Sequence, residues 1–481
     1  MKQSLTQKTI LGFIWLGGGK IVYAALQLLV LGILARLLTP SDFGIIGITL
    51  VIISFIDIFN DLGFGPAITQ KSDLSKEDVY TGFTCSIVLG LLLFALLQIA
   101  APFIASFYDE GRLTEVLRAV SVVLIFQATI TTPLGLMYRN MEFKKISLVQ
   151  LTSYFLSFGV IGTTLALTGF GVWALVFSVI SQSVITLLSY LFINRRSLGI
   201  GFHKTSFNSL LYFGGGYSIS KVFTYLANKG DKLLIGKLIG MEALGFYERG
   251  YQIVKHIGDL LGEIIDKVLF SPFARKQDNR ELIGQLYLEI TFVLSILFFP
   301  LTAYVFTNAQ EIVLLLLGKN WDTTVTIVQI MSVSMFFLIT TRIGSTIAKS
   351  LGDVYNRALR TIIYASYILV SVFFLSRYGI IYVSMGVSIG TVLNYILAFG
   401  QVKKLTKINI SDFLMNHITG IIISLIYVTL SYIFSRLLSD QINFMVSLII
   451  NGLLLLLSYT FLLISRKKAI ITKYMTHFTA R

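Results

Sequence analysis

The stretch "ERGYQIVKHIGDLLGEIID" (Glu248–Asp266) carries six formal charges and a histidine. It lies near the middle of a 481-residue chain that is 55% hydrophobic and only 13% charged. The mean hydropathy of the whole chain is +0.80. An ordinary soluble domain is about 25% charged, so the background is that of a membrane protein. Whether this polar stretch crosses the bilayer decides the topology of everything that follows it.

The charge-free runs on either side set the frame. A spanning helix needs about 20 apolar residues. Val79 to Tyr108 holds no charged residue, and neither does Ile146 to Asn194, a run long enough for two spans and divided by "LTGFGVW" (Leu167–Trp173). The pattern predicts an all-α polytopic membrane protein with fourteen spans: about 9–34, 43–66, 79–107, 116–138, 146–168, 171–193, 208–228, 243–270, 286–307, 324–348, 359–376, 378–400, 413–437 and 441–465. The eighth contains the opening stretch and is the weakest by hydropathy. The N-terminal "MKQSLTQKTILGFIWLGGGK" reads as a retained first span, because Lys20 interrupts the apolar run and no small-residue cleavage site follows. The single cysteine, Cys85, rules out an internal disulfide and reads as a small buried apolar side chain.

The formal net charge of +15 would suggest nucleic acid in a soluble protein. Here the basic residues fall in short loops, where they set orientation; no nucleic-acid partner is expected. With the N-terminus cytoplasmic, Lys and Arg in loops and tails number 24 on the cytoplasmic side and 9 on the other, the latter including Arg36, Lys229, Lys232 and Lys237. The bias holds only if the eighth segment crosses. Both termini are then cytoplasmic.

Shifting the chain by 201 residues sets Lys20 on Lys221, Gln27 on Asn228, Arg36 on Lys237 and Gly44 on Gly245. The matching segments are "ARLLTPSDFG" (Ala35–Gly44) and "GKLIGMEALG" (Gly236–Gly245). At a shift of 202, Asp57 falls on Asp259 and Asp61 on Glu263; at 198, Pro102 falls on Pro300. The pattern predicts a duplicated six-span unit. Six is even, so both copies face the same way, giving two six-helix lobes related by a pseudo-two-fold axis along the membrane normal. The predicted division is an N-terminal lobe over 1–200, a C-terminal lobe over 201–405, and two further spans with a tail over 406–481.

On a helix, Glu248, Gln252, Lys255, Asp259, Glu263 and Asp266 share one narrow face, and Ile253, Ile257, Leu260, Ile264 and Val268 take the opposite one. Facing lipid, each charge at mid-depth costs at least about 2.5–3.5 kcal/mol. The seven charges from Glu248 to Lys267 would cost on the order of 20 kcal/mol. Pairs such as Lys255–Asp259 return only about 0.3–0.5 kcal/mol each. The face therefore meets water or polar protein. It can line a hydrated cavity, lie flat at the interface, or form a buried ion network. The charge count and the Asp57/Asp61 echo favour the cavity.

Other intramembrane charges are candidates by the same reasoning. Lys20 and Lys221 occupy equivalent places in the repeats and suit an anionic head group, or else snorkel or pair with a carboxylate. Arg342 is a further cation, and Asp57 and Asp61, one turn apart, could accept a coupling ion or pair with Lys20. Pro102 and Pro300 are expected to kink their helices. The four histidines are scattered. No metal-ligand cluster, phosphate-cradling loop or nucleophile–base motif stands out, so neither catalysis nor a cofactor is expected.

Four segments carry a family resemblance: "LARLLTPSDFGIIG" (Leu34–Gly47), "DLGFGPAITQKSDLS" (Asp61–Ser75), "APFIASFYDEGRLTEVLRAVS" (Ala101–Ser121) and "DKLLIGKLIGMEALGFYERGYQI" (Asp231–Ile253). With them the chain resembles the polysaccharide transporter family, the oligosaccharide-lipid flippases of the multidrug/oligosaccharidyl-lipid/polysaccharide exporter superfamily. The resemblance runs to about Gly400 and looks closest to the subgroup handling lipopolysaccharide, colanic acid and teichuronic acid precursors. It implies two lobes around a central cavity and alternating access. It implies an undecaprenyl-diphosphate-linked oligosaccharide as cargo in a bacterial cytoplasmic membrane, reset by an ion gradient, with pathway polymerases and glycosyltransferases as further partners. On this reading Lys20, Lys221, Arg249, Lys255 and Arg342 are candidate head-group contacts. Asp57, Asp61, Asp259 and Glu263 are candidates for ion coupling. The eighth helix is acidic as well as basic, which departs from a purely cationic cavity. Two rivals stand beside this: a cation-coupled multidrug exporter of the same superfamily, and a membrane polysaccharide polymerase or ligase, for which the outer loops are short.

Overall fold

The structure, a computed structural model, describes residues 5–60, 64–71, 73–438 and 443–460; the side chains of 5–14, 16, 211–223, 257 and 259–272 also lie outside the description. Asp61 is therefore not described, and Lys221, Asp259 and Glu263 are placed by their backbone alone.

Over its described residues, each of the fourteen expected segments is mainly helical. In chain order the helices are α1 (Leu5–Leu37), α2 (Pro40–Asn60), a short α3 (Phe64–Gln70), α4 (Lys76–Tyr108), α5 (Arg112–Arg139), α6 (Phe143–Tyr154), α7 (Thr163–Leu167), α8 (Val172–Asn194), α9 (Lys204–Leu238) and α10 (Met241–Arg275). There follow α11 (Arg280–Thr307), a short α12 (Ala309–Leu316), α13 (Asp322–Val333), α14 (Met335–Ser350), α15 (Val354–Leu375), α16 (Ile380–Thr406), α17 (Ile410–Leu438) and α18 (Phe444–Thr460). Ten helices among the described residues are long and apolar enough to cross a membrane, or eleven if α13 and α14, bent by 43°, form one broken span. The protein is a multi-pass membrane protein. Its outward side chains agree: Ile99 is 71% exposed and Phe103 73%, a pattern a soluble surface avoids and a lipid-facing one requires.

Local chemistry sets the helix ends. Thr39 caps α2: its hydroxyl and backbone N–H donate to Asp42 at 2.7 and 3.0 Å, and Asp42 N–H returns to the Thr39 hydroxyl. Pro40 takes the first helical position, where no N–H is needed. Ser75 and Asp78 form a capping box on α4. Asp109, at φ 54°, closes α4 and turns the chain into α5, and the pair packs tightly where Gly90 meets Ala128. Between α6 and α7, Phe155–Gly162 is a π-helix, a wider winding that recurs at functional sites. Pro102 and Pro300 sit inside uninterrupted helices.

The chain forms two compact units. The first comprises Met1–Arg249, Leu316–Asn320 and Thr361–Val383. In it α5 packs against α2, α3, α4 and α8, α1 against α6, and α9 against α2, α3 and α4. The beginnings of α2 and α10 meet here in a reciprocal contact. A Cβ on Gly44 would collide with the Met241 carbonyl, and a Cβ on Gly245 with the Pro40 carbonyl. Pro40 and Met241, like Gly44 and Gly245, are 201 residues apart. The repeat read from the sequence is thus a pairing of equivalent residues in space.

The second unit comprises Gly250–Leu315, Trp321–Arg360 and Ser384–Arg481. Its centre is α11, packed by α13, α14 and α17. Gly420 of α17 lies against the Ser295 carbonyl, Ser295 donates to Asn416 O at 2.6 Å, and Asn416 donates to Leu288 O at 2.9 Å. The Tyr459 hydroxyl of α18 donates to Leu297 O at 2.7 Å. The last two helices are joined to α11 by these polar contacts.

One boundary is corrected. The charge count placed Lys229, Lys232 and Lys237 in a loop after a span ending near 228. Instead α9 continues to Leu238, and Lys232 is only 2% exposed. Its charge is held inside the protein by a partner on α10.

Candidate functional site

That partner is Glu248, the first residue of the polar stretch, whose carboxylate forms an ion pair with the Lys232 ammonium. Beside it the Tyr247 hydroxyl donates to Asp231 at 2.6 Å. Two consecutive residues of α9 thus bind two consecutive residues of α10. Leaving either charge without its partner would be expensive, so the pairs lock α10 to α9.

Arg249 differs. Its guanidinium sits 4.7 Å from the centroid of the Phe43 ring of α2, a cation–π contact, and its Nε is buried without a hydrogen-bond partner. Tyr154, at the start of the π-helix, lies within electrostatic reach of it. Tyr154 stacks on Phe158 at 4.9 Å and meets Tyr23 edge-on at 5.1 Å. Lys229, Lys232 and Arg249 against Asp231 and Glu248 leave this cluster one positive charge in excess.

A second feature of the first unit is a cleft of about 800 Å³ at the end where α2 finishes and α6 begins. Asp57 and Ser54 of α2 line it, with Thr69 and Gln70 of α3 and Gln127, Thr131 and Tyr138 of α5. Its walls are firmly built. Gly135 and Gly65 bring α5 and α3 into backbone contact. Arg139 donates to the carbonyls of Ile68 and Thr69 at 3.4 Å each, and to that of Lys71, capping α3. The Asp57 carboxylate accepts from the Asn60 amide at 3.1 Å, and Asn60 is anchored to the Leu124 carbonyl at 2.9 Å. Phe43 and Asp57 are fourteen residues apart on α2, so Arg249 and the cleft are separated by about 20 Å along its axis.

The remaining candidates are placed as follows. Lys20 is an exposed residue of α1, and Arg342 is half-buried in α14. On the part of α10 in the second unit, the Lys255 ammonium lies 5.5 Å from the Tyr251 ring, and Gln252 and His256 are hydrogen-bonded at 2.9 Å. Among the described residues, no three His, Cys, Asp or Glu side chains converge as a metal site would require. The sequence reading missed the role of Lys232, hidden by a span drawn ten residues short. It also missed the polar face of α5, although Gln127, Thr131 and Tyr138 recur at helical spacings of four and seven.

A sequence-family model described as "Polysaccharide biosynthesis protein" matches residues 33–326, more than half of the chain. The chain belongs to that family. The teichuronic acid biosynthesis protein TuaB of Bacillus subtilis (strain 168) is 26% identical over 340 residues, 69% of this chain and 68% of that protein. The lipopolysaccharide biosynthesis protein WzxC of Escherichia coli (strain K12) is 23% identical, over 69% and 67%. Among solved structures, the lipid II flippase MurJ in an inward closed conformation superposes with a TM-score of 0.76, covering 96% of this chain and 100% of that one at 16% identity. An inward-facing MATE family transporter of the MOP superfamily gives 0.61, over 81% and 99%, also at 16% identity. The fold is therefore the two-lobed fold of that superfamily, as the repeat predicted.

Proposed function

We propose that this family member is a flippase that moves an undecaprenyl-diphosphate-linked oligosaccharide from the inner to the outer leaflet of a bacterial cytoplasmic membrane. It works by alternating access, coupled to an ion gradient, with both termini cytoplasmic. The observation that carries the reading is Arg249. Its guanidinium lies over the Phe43 ring with a buried Nε that makes no hydrogen bond, next to a Glu248 that is ion-paired with Lys232, and guanidinium groups suit phosphate geometry. The names of TuaB, WzxC and the succinoglycan biosynthesis transport protein ExoT of Rhizobium meliloti support a surface-polysaccharide cargo. Lys255, on the part of α10 in the second unit, is a further proposed head-group contact. Asp57 and the α10 acids Asp259 and Glu263 are the proposed coupling groups.

The test is genetic and chemical. Deleting the gene should abolish surface polymer and leave lipid-linked precursor on the inner face, and the wild-type gene should restore export. Arg249→Gln, Lys255→Ala and Asp259→Ala should insert into the membrane normally yet fail to restore it. Full export by all three would overturn the reading.

A further inference from the structure

The cleft beside Asp57 is richer in hydrogen-bond acceptors than in donors. The Ser54 hydroxyl donates to Leu50 O at 2.6 Å. The Thr69 hydroxyl donates to the carbonyls of Gly65 and Gly135 at 2.9 and 3.1 Å. The Thr131 hydroxyl donates to Gln127 O at 3.2 Å. A hydroxyl has one proton and two lone pairs. With the protons committed to the helix backbones, these three side chains offer lone pairs to anything in the cleft. The Asp57 carboxylate offers acceptors as well. The amides of Gln70 and Gln127 and the Tyr138 hydroxyl supply the donors, and none of the lining residues is Lys or Arg. Ile130, Leu134 and the rings of Tyr138 and Phe143 add apolar surface.

Such a wall suits a ligand that is rich in O–H donors, has apolar C–H faces and bears no negative charge. A phosphate or carboxylate would find no Lys or Arg among the lining residues and would meet the Asp57 carboxylate. We propose that the cleft docks sugar residues of the precursor, that it accepts neutral, hydroxyl-rich sugars, and that it excludes the diphosphate. This rests on the flippase reading and divides the head group between two places. Sugars bind at the cytoplasmic end of the first unit, and the diphosphate is recognised about 20 Å away at Arg249. The volume of about 800 Å³ is within the range of small-molecule sites and has room for more than one sugar ring. Asp57, fixed by Asn60, then acts as a sugar-hydroxyl acceptor in addition to any role in ion coupling.

The test uses the full chain with Cys85→Ala and Thr131→Cys, purified into lipid nanodiscs, with maleimide labelling of the new cysteine as readout. The probes are the repeat-unit oligosaccharide released free of phosphate from the host's own polysaccharide, inorganic pyrophosphate, and sodium chloride. The oligosaccharide should slow labelling at least fivefold, and pyrophosphate should slow it no more than sodium chloride at matched ionic strength does. Asp57→Asn should raise the half-protecting concentration about three- to tenfold, the effect of weakening one or two hydrogen bonds. Ser54→Lys should transfer protection to pyrophosphate. Calorimetric titration of wild-type protein with the same probes guards against a cysteine that perturbs the site. Protection by pyrophosphate beyond that by sodium chloride in the Thr131→Cys protein overturns the proposal, as does failure of the oligosaccharide to bind in both assays. If the gene restores export in cells while the cleft binds no sugar, this inference fails alone. If the cleft binds sugar but the deletion strain accumulates no precursor, the flippase reading fails.

Discussion

Gly44→Ala is the sharpest probe of how the two repeats meet. The added methyl would fall on the Met241 carbonyl, with the carbonyl carbon 2.6 Å and the Cα 3.1 Å from the Cβ position. Real Cβ atoms essentially never come within 3.0 Å of another heavy atom, and a backbone obstacle has no rotamer by which to yield. The carbonyl oxygen lies nearer still, so the starts of α2 and α10 must part by more than about 1 Å to reach ordinary contact, and overpacking of this kind costs about 1–3 kcal/mol. Gly47, three residues along the same helix, has nothing within 4 Å of its Cβ position. Gly47→Ala should gain up to about 1 kcal/mol from helix propensity. The two alanines should thus move stability in opposite directions on one helix. Gly245→Ala meets the Pro40 carbonyl from the other side, so it should match Gly44→Ala. The double variant should lose less than the sum, because helices already separated admit the second methyl cheaply. Unfolding of the purified protein in mixed micelles measures all four. If Gly44→Ala is as stable as Gly47→Ala, the reciprocal contact is wrong and the spatial argument for the repeat fails with it.

Three further outcomes follow from the same structure. Lys232→Met leaves Glu248 buried without its cation and should cost about 3–5 kcal/mol, while adding Glu248→Leu should recover most of the loss; a double-mutant cycle checks this. Ser75→Ala removes the capping box of α4 and should lower stability by about 1 kcal/mol, read as a shift in the unfolding midpoint. Gly420→Ala drives a methyl into the Ser295 carbonyl and should loosen α17 from α11 at about 1–3 kcal/mol, seen as faster hydrogen exchange at Leu288 and Ser295.

The opening stretch shows how far sequence reasoning reached. Its charges had to share a face and meet something polar, and for Glu248 the partner is Lys232. The sequence reading treated Lys232 as a loop residue because a hydropathy window ends where charges begin. A buried ion pair hides its charges from lipid and lets the helix run on to Leu238. The polar face of α5 passed unremarked for a related reason: Gln127, Thr131 and Tyr138 carry no charge, so they do not interrupt an apolar run.

The sequence alone determined that the chain is helical and membrane-spanning, and that its halves repeat. These follow from residue periodicity and the thickness of a bilayer, which are local quantities. Which charges neutralise each other was left to the tertiary structure, because electrostatic pairing depends on distances between helices remote in the chain. Only the fold could show that Glu248 pairs with Lys232 while Arg249 beside it lies over the Phe43 ring, or that Asp57 lines a cleft with Thr69 and Thr131.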